Sequence, residues 1–186
     1  LPQDQEGLRA TVAELRPALL ILDPFIRLHR ADENASKDVA PLLGYLRELQ
    51  RQFGVKVRYA NADMSHPAQI RALAEMVRAD FGTVDVIVNN AGIQHLAPVD
   101  TFPDEKWDAV LAINLSSAFN LIKAVAPEMK SRRFGRIINI ASVHGLTASP
   151  FKPAYVAAKH GLIGLSKTVA IELAEYGVTC NAICPG

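Results

Sequence analysis

The chain has 186 residues, 49% of them hydrophobic and 21% charged, with a formal net charge of +1. That length lets one domain bury roughly 70% of its unfolded surface, and the composition is that of a globular protein rather than a disordered one. Near-neutral charge leaves no electrostatic footprint for nucleic acid or an anionic membrane. In chain order, "ALLIL" (Ala18 to Leu22) reads as a strand, followed by a helical period from about Lys37 to Phe53 and a strand "VKVRY" (Val55 to Tyr59). A helix from Pro67 to Phe81, a strand "VDVIVNN" (Val84 to Asn90) and a long helix from Asp104 to Lys130 come next. The strand "RIINIAS" (Arg136 to Ser142), a helix from Pro153 to Tyr176 and the strand "VTCNAIC" (Val178 to Cys184) complete the pattern. Gly54, Gly82, Gly135 and Gly177 follow the helices as stop signals.

Most of these strands are apolar on both faces, which suits a covered parallel sheet. Alternation of strand and helix predicts an α/β fold with a doubly wound parallel sheet, in which ligands lie beyond the carboxyl ends of the strands. Cys180 and Cys184 sit in an apolar run with no histidine near in sequence, so buried free thiols are expected rather than a metal site or a disulfide. No charged-then-apolar leader pattern opens the chain, and no apolar run approaches the roughly 18 residues of a membrane span. These features predict a cytoplasmic location with no membrane partner.

Three strands end in unusual chemistry: "NNAG" (Asn89 to Gly92), "NIAS" ending at Ser142, and "NAICPG" ending at Pro185 and Gly186. Asn90, Ala91 and Gly92 form a segment able to turn sharply beside a ligand, or simply a tight turn before a helix. Tyr155 and Lys159 are at i and i+4, so both project from one face of the helix that Pro153 opens. An ammonium near a phenol favours the phenolate, which brings a group of ordinary pKa about 10 toward acid/base use. A serine beside them offers a hydrogen bond to a reacting oxygen. Taken alone, the spacing favours a packed tyrosine, a solvated lysine and a serine that merely ends a strand.

The combination of "NNAG", Asn114 within "AINLSSAF", "NIAS", "YVAAK" (Tyr155 to Lys159) and "PG" resembles, in order and spacing, the short-chain dehydrogenase/reductase family over roughly Gly54 to Gly186. The resemblance implies a Rossmann-like fold and a catalytic tetrad at Asn114, Ser142, Tyr155 and Lys159. Tyr155 would exchange the proton, Lys159 would assist it and hold the nicotinamide ribose, Ser142 would polarise the reacting oxygen and Asn114 would position water. It implies NAD as cofactor, touched by Asp63, Asn90, Ala91, Gly92, Tyr155, Lys159, Pro185 and Gly186. It also implies pairing into dimers or tetramers through the helices that carry Asn114 and Tyr155.

"NNAGIQH", "FGRIINIASVHGL" and "AYVAAKHG" look like the D-3-hydroxybutyrate dehydrogenase branch of that family. In that branch Gln94, His144 and Lys152, with Ser142 and Tyr155, would bind a short 3-hydroxy acid. Lys152 supplies a cation for a carboxylate, while Gln94 and His144 supply donors.

The chain departs from the family pattern before Val55, where the only glycines are Gly7, Gly44 and Gly54, so no G-x-x-x-G-x-G turn meets a dinucleotide pyrophosphate. The fold is thus expected to lack the glycine-rich first strand-turn-helix unit and the C-terminal strand. Residues 1–53 read as an atypical N-terminal segment and residues 54–186 as the dehydrogenase core. Arg16 to Gly54 resembles the strand and helix around the second nucleotide-binding motif of P-loop ATPases, with Asp23 at the magnesium-linked position. No G-x-x-x-x-G-K-[ST] loop exists in the chain, so Asp23 is expected to end a strand without ATPase function. Three readings result: an oxidoreductase acting on a 3-hydroxy acid, a non-catalytic fused or truncated dehydrogenase unit, or, more weakly, an ATPase remnant.

Overall fold

The computed structural model describes residues 48, 51–54, 56 and 58–186. Within it, Asn61–Gly186 form a compact unit. Its elements are α1 (Pro67–Phe81), β1 (Val86–Asn89), α2 (Asp104–Leu111), α3 (Ser117–Arg132), β2 (Gly135–Ile140), α4 (Pro153–Leu173) and β3 (Val178–Ile183). A π-helical segment, Ala112–Ser116, joins α2 to α3 without a break in the helical run.

The strands form a parallel sheet in the order β1-β2-β3, with Ile87 opposite Ile137 and Ile137 opposite Cys180. Ile87, Ile137, Val178 and Cys180 are buried, and each large aliphatic side chain removed from water stabilises the sheet by about 1.5–3 kcal/mol. Because the strand order runs one way, right-handed crossovers place α3 and α4 on the same face. Ala118 of α3 and Leu162 of α4 accordingly share one cluster with Ala141.

Pro153 stands in the first turn of α4, where its missing N–H leaves no bond unmade. The predicted helix and strand positions agree with these elements within a few residues, with informative differences. The predicted helix Asp104 to Lys130 is α2, the π segment and α3, because the periodicity of its apolar residues conceals one locally widened turn. The helix read to Tyr176 ends as α at Leu173 and finishes in a 3-10 turn, Ala174–Tyr176.

Gly82 and Gly177 take positive φ after their helices, as a stop signal requires, and Gly54 does so too. Gly135 does not. Arg133 supplies the left-handed turn after α3, with φ 54 and ψ 33, and Gly135 instead opens β2, where the Met129 side chain occupies the space a Cβ would need.

The helical run Asp104–Arg132 is long and apolar enough by length and composition to cross a bilayer, contrary to the expectation that no segment reached that measure. Its residues Ala118, Ile122, Val125 and Met129 are buried within the fold, while 33% of the apolar window as a whole is buried. The predicted strand "VKVRY" is not a regular strand among the described residues: Lys56 makes an isolated bridge, and Arg58 and Tyr59 lie outside regular structure. "ALLIL", Asp23 and most of the predicted helix Lys37 to Phe53 lie outside the described residues.

Candidate active site

Parallel pairing brings the carboxyl ends of β1, β2 and β3 to one edge of the sheet, the edge at which open α/β sheets bind ligands. Asn90, Ala91 and Gly92 leave β1 there, Ser142 follows β2, and Pro185 and Gly186 follow β3. Two backbone bonds hold the last two together. The Ala141 N–H donates to the Ile183 carbonyl at 2.8 Å, and the Val143 N–H donates to the Pro185 carbonyl at 2.8 Å.

Asn114 sits inside the π segment and is 2% exposed. Such a widened turn often marks a functional position, because it displaces one residue from the regular helical ladder. The Asn114 carboxamide clamps the backbone of Ile93, its Oδ1 accepting the Ile93 N–H at 2.8 Å and its Nδ2 donating to the Ile93 carbonyl at 2.9 Å. Next to this clamp, a Cβ on Gly92 would lie 3.7 Å from Asn114 Oδ1 and 3.8 Å from Lys159 Nζ. Gly92 thus keeps open the space between those two groups.

Lys159 is 1% exposed, so the reading of a solvated lysine does not hold. Its ammonium donates to the Ile140 carbonyl at 2.6 Å and lies 5.6 Å from the Tyr155 ring centroid. A buried cation is expensive to desolvate, and it is retained beside the one phenol of the site. Tyr155 does pack, against Val110, Ala154 and Ala158, and it also faces the ammonium.

Ser142 is 8% exposed, and its Oγ accepts the His144 N–H at 3.1 Å. That leaves its O–H to donate elsewhere. The His144 ring meets Tyr155 edge-on, with centroids 6.3 Å apart. Lys152 Nζ lies 3.3 Å from His144 Nε2. An ammonium only donates, so Nε2 accepts and the imidazole hydrogen of the neutral ring resides on Nδ1. Nδ1 is buried and has no protein partner, an orphan donor beside the tyrosine.

Gln94 and Asp63 complete the predicted set. Gln94 is exposed on the loop after β1. Asp63 organises the turn before α1: its Oδ1 accepts the Ser65 N–H at 2.8 Å and the Ser65 hydroxyl at 2.7 Å, and its Oδ2 lies 3.1 Å from His66 Nδ1. The Ser65 hydroxyl and amide, with a smaller contribution from His66, hold its carboxyl below the ordinary 3.8.

Sequence reasoning missed a buried polar chain behind the site. Asn89 Nδ2 donates to Asn139 Oδ1 at 2.7 Å, and Asn139 Nδ2 donates to Ser166 Oγ at 2.8 Å and to Cys180 Sγ at 3.6 Å. The available signal was an asparagine within each of the apolar strands β1 and β2. Cys180 is buried as predicted and Cys184 is half-buried; both are free thiols. Burial pushes the Cys180 thiol up from 9.0 to about 11, against the smaller opposing effects of Ser166 and Asn139.

A family model described as short chain dehydrogenase matches residues 35–186. The chain belongs to the short-chain dehydrogenase family. A second model, described as an AAA domain, matches residues 1–60. The D-beta-hydroxybutyrate dehydrogenase of Cupriavidus necator is 55% identical over 133 residues, covering 72% of this chain and 52% of that protein. The protein of the same description from Rhizobium meliloti is 58% identical over 125 residues, covering 67% of this chain and 48% of that protein. The crystal structure of an NAD+-bound xylitol dehydrogenase superposes with a TM-score of 0.70 at 35% identity, covering 77% of this chain and 57% of the other. The chain thus spans about half the length of the curated relatives it matches.

This short-chain dehydrogenase core has the α/β, Rossmann-like parallel sheet that the family implies, and the family is one of nicotinamide-dependent oxidoreductases. The residues present fit the nicotinamide end of such a cofactor. Small residues at the strand ends permit backbone approach, Gly92 keeps a gap between Asn114 and Lys159, and a buried ammonium lies beside that gap.

Proposed function

We propose that the chain carries an NAD-linked hydride-transfer site for a short 3-hydroxy acid such as 3-hydroxybutyrate, or its ketone partner acetoacetate. The observation that carries this reading is the line of groups Lys152, His144 and Tyr155. It sets a cation and an orphan N–H beside a phenol that faces a buried ammonium. A carboxylate matches the Lys152 ammonium, and Gln94 adds a donor from the neighbouring loop. The assignments to 3-hydroxybutyrate dehydrogenase in two relatives agree with it.

Tyr155 takes the proton of the substrate hydroxyl as the alcohol is oxidised, or returns it when the ketone is reduced. The Lys159 ammonium stabilises the negative charge that develops on the phenol, and Ser142 donates its O–H to the reacting oxygen. Asn114 holds the loop after β1 in place through Ile93 and orients water in the proton path. Asn90, Ala91, Gly92, Tyr155, Lys159, Pro185 and Gly186 would hold the cofactor at its nicotinamide end, with Asp63 toward its adenine. When bound, the cofactor accepts or gives the hydride.

The division into a segment at 1–53 and a core at 54–186, a cytoplasmic location and a homo-oligomer paired through α3 and α4 belong to the same reading. Phe119 and Ile171, 48% and 80% exposed on those helices, offer apolar surface for pairing.

Replacing Lys152 by Ala tests the substrate assignment. Loss of a charged hydrogen bond of about 1.5–3 kcal/mol is expected to raise KM for 3-hydroxybutyrate roughly 10- to 150-fold, leaving a neutral secondary alcohol unaffected. An unchanged KM for the acid would defeat it. A second reading, a unit that keeps the tetrad without using it, is favoured by one observation: an AAA domain model covers residues 1–60, where the family's glycine-rich unit is expected. Saturable NADH binding separates the two.

A further inference from the structure

We infer that the left-handed backbone at Phe151, and not its aromatic ring, places the Lys152 ammonium at His144. This deepens the reading above, on which its kinetic consequence rests. Phe151 has φ 64, and it and Arg133 are the only non-glycine residues with positive φ among those described. A bulky side chain adopts that region at a steric penalty, so something must hold it there. The ring does not: Phe151 is 56% exposed.

The local sequence explains why the reversal falls on this residue. Pro150 fixes its own φ, and Pro153 keeps the preceding Lys152 out of the right-handed helical region. Lys152 has φ -126 and ψ 42, outside the helix, while its carbonyl accepts the Val156 N–H at 2.9 Å and so starts α4. With both neighbours restricted, Phe151 is left to absorb the turn.

The holding force comes from across the site. The Ala97 N–H donates to the Phe151 carbonyl at 3.1 Å. Ala97 ends a short loop whose other end, Ile93, is clamped at both backbone groups by Asn114. Residues 93–97 therefore form a strap from Asn114 to Phe151, with Gln94 riding on it. Lys152 is the next residue after the anchored carbonyl, and its Nζ reaches His144 Nε2 at 3.3 Å. One restraint thus places Gln94 and Lys152, which reach the carboxylate from two separate loops, on a common frame. Phe151 is a positioning residue for acid recognition.

The test compares Phe151→Asn and Phe151→Gly, which tolerate the left-handed region, with Phe151→Val, which resists it. Ala97→Pro removes the N–H that holds the Phe151 carbonyl and perturbs the same restraint from another residue. Thermal unfolding establishes that each chain is folded. The first readout needs neither substrate nor cofactor: acetylation of lysines by acetic anhydride, followed residue by residue by mass spectrometry, with exposed Lys167 as internal standard.

Lys152 is expected to label about fivefold or more faster in the Val and Pro chains, and at the original rate in the Asn and Gly chains, because only the former lose the conformation. The second readout is 3-hydroxybutyrate oxidation. KM is expected to rise about tenfold or more in the Val and Pro chains with kcat within about twofold, and Asn and Gly are expected to match the original chain.

Unchanged Lys152 labelling in both the Val and Pro chains would overturn the proposal, as would Asn and Gly chains that label like Val. If the Val chain does not fold, the Pro chain against the Asn chain gives the same decision. Absence of turnover in every chain, with the labelling pattern intact, would instead overturn the substrate reading and leave the placement of Lys152 established.

Discussion

Lys159→Met separates the functional and the structural consequences of one buried charge. Methionine has similar length and volume but no ammonium. If Tyr155 passes the proton as proposed, an ammonium 5.6 Å from its ring centroid would stabilise the negative charge of the transition state by up to about 3 kcal/mol at an effective dielectric near 20, which is up to about 150-fold in rate. Stability is expected to move the other way. The variant leaves the Ile140 carbonyl without the 2.6 Å bond, at a cost of about 1–3 kcal/mol. It also removes a desolvation penalty of several kcal/mol for a group that is 1% exposed. A net gain of about 1 kcal/mol, once the ammonium's other interactions are counted as lost too, corresponds to a Tm rise of roughly 2–4 °C.

The assays are NADH formation from 3-hydroxybutyrate and thermal unfolding by circular dichroism. A kcat within threefold of the original chain would refute the electrostatic role. A lower Tm would show that protein groups satisfy the ammonium in full, and would refute the view that this charge is retained for chemistry at the expense of stability.

Asn114→Ala removes both bonds to Ile93 and is expected to lower Tm by roughly 4–8 °C, from about 2 kcal/mol of lost hydrogen bonding; a shift below 1 °C would contradict the clamp. Asn139→Leu leaves Asn89 Nδ2 and Ser166 Oγ without their Asn139 partners, and a loss of about 2–4 kcal/mol is expected in urea unfolding. The folded-state pKa of Cys180 is raised above its ordinary value. Its contribution is therefore fully present below pH 9.0 and is lost as pH rises toward about 11. Urea midpoints measured across that window should fall less steeply in Cys180→Ala than in the original chain.

The sequence was most legible where a pattern repeats. The apolar runs of β1, β2 and β3 and the Pro153 start of α4 follow directly from periodicity and proline chemistry. So does the shared face of Tyr155 and Lys159. What stayed hidden depends on contacts between distant segments. The π turn at Asn114 leaves the apolar spacing of its helix almost intact, so the periodicity does not register it. Gly135 reads as a helix stop by position, yet the Met129 side chain is what excludes a Cβ there, and Arg133 takes the stop conformation instead. The asparagines at 89 and 139 reveal their partnership only once β1 and β2 are placed in register. Burial of Lys159 was equally illegible, because the spacing of Tyr155 and Lys159 is the same on a wet helix face and a dry one.

On the proposed function, this chain holds a nicotinamide and passes hydride at Tyr155. This is tested most directly by titrating the chain and its Tyr155→Phe variant with NADH, following nicotinamide fluorescence, and then adding acetoacetate. Saturable binding to both chains is expected, with the signal consumed by acetoacetate in the original chain alone. No saturation up to millimolar NADH, or equal consumption by the Phe variant, would contradict it.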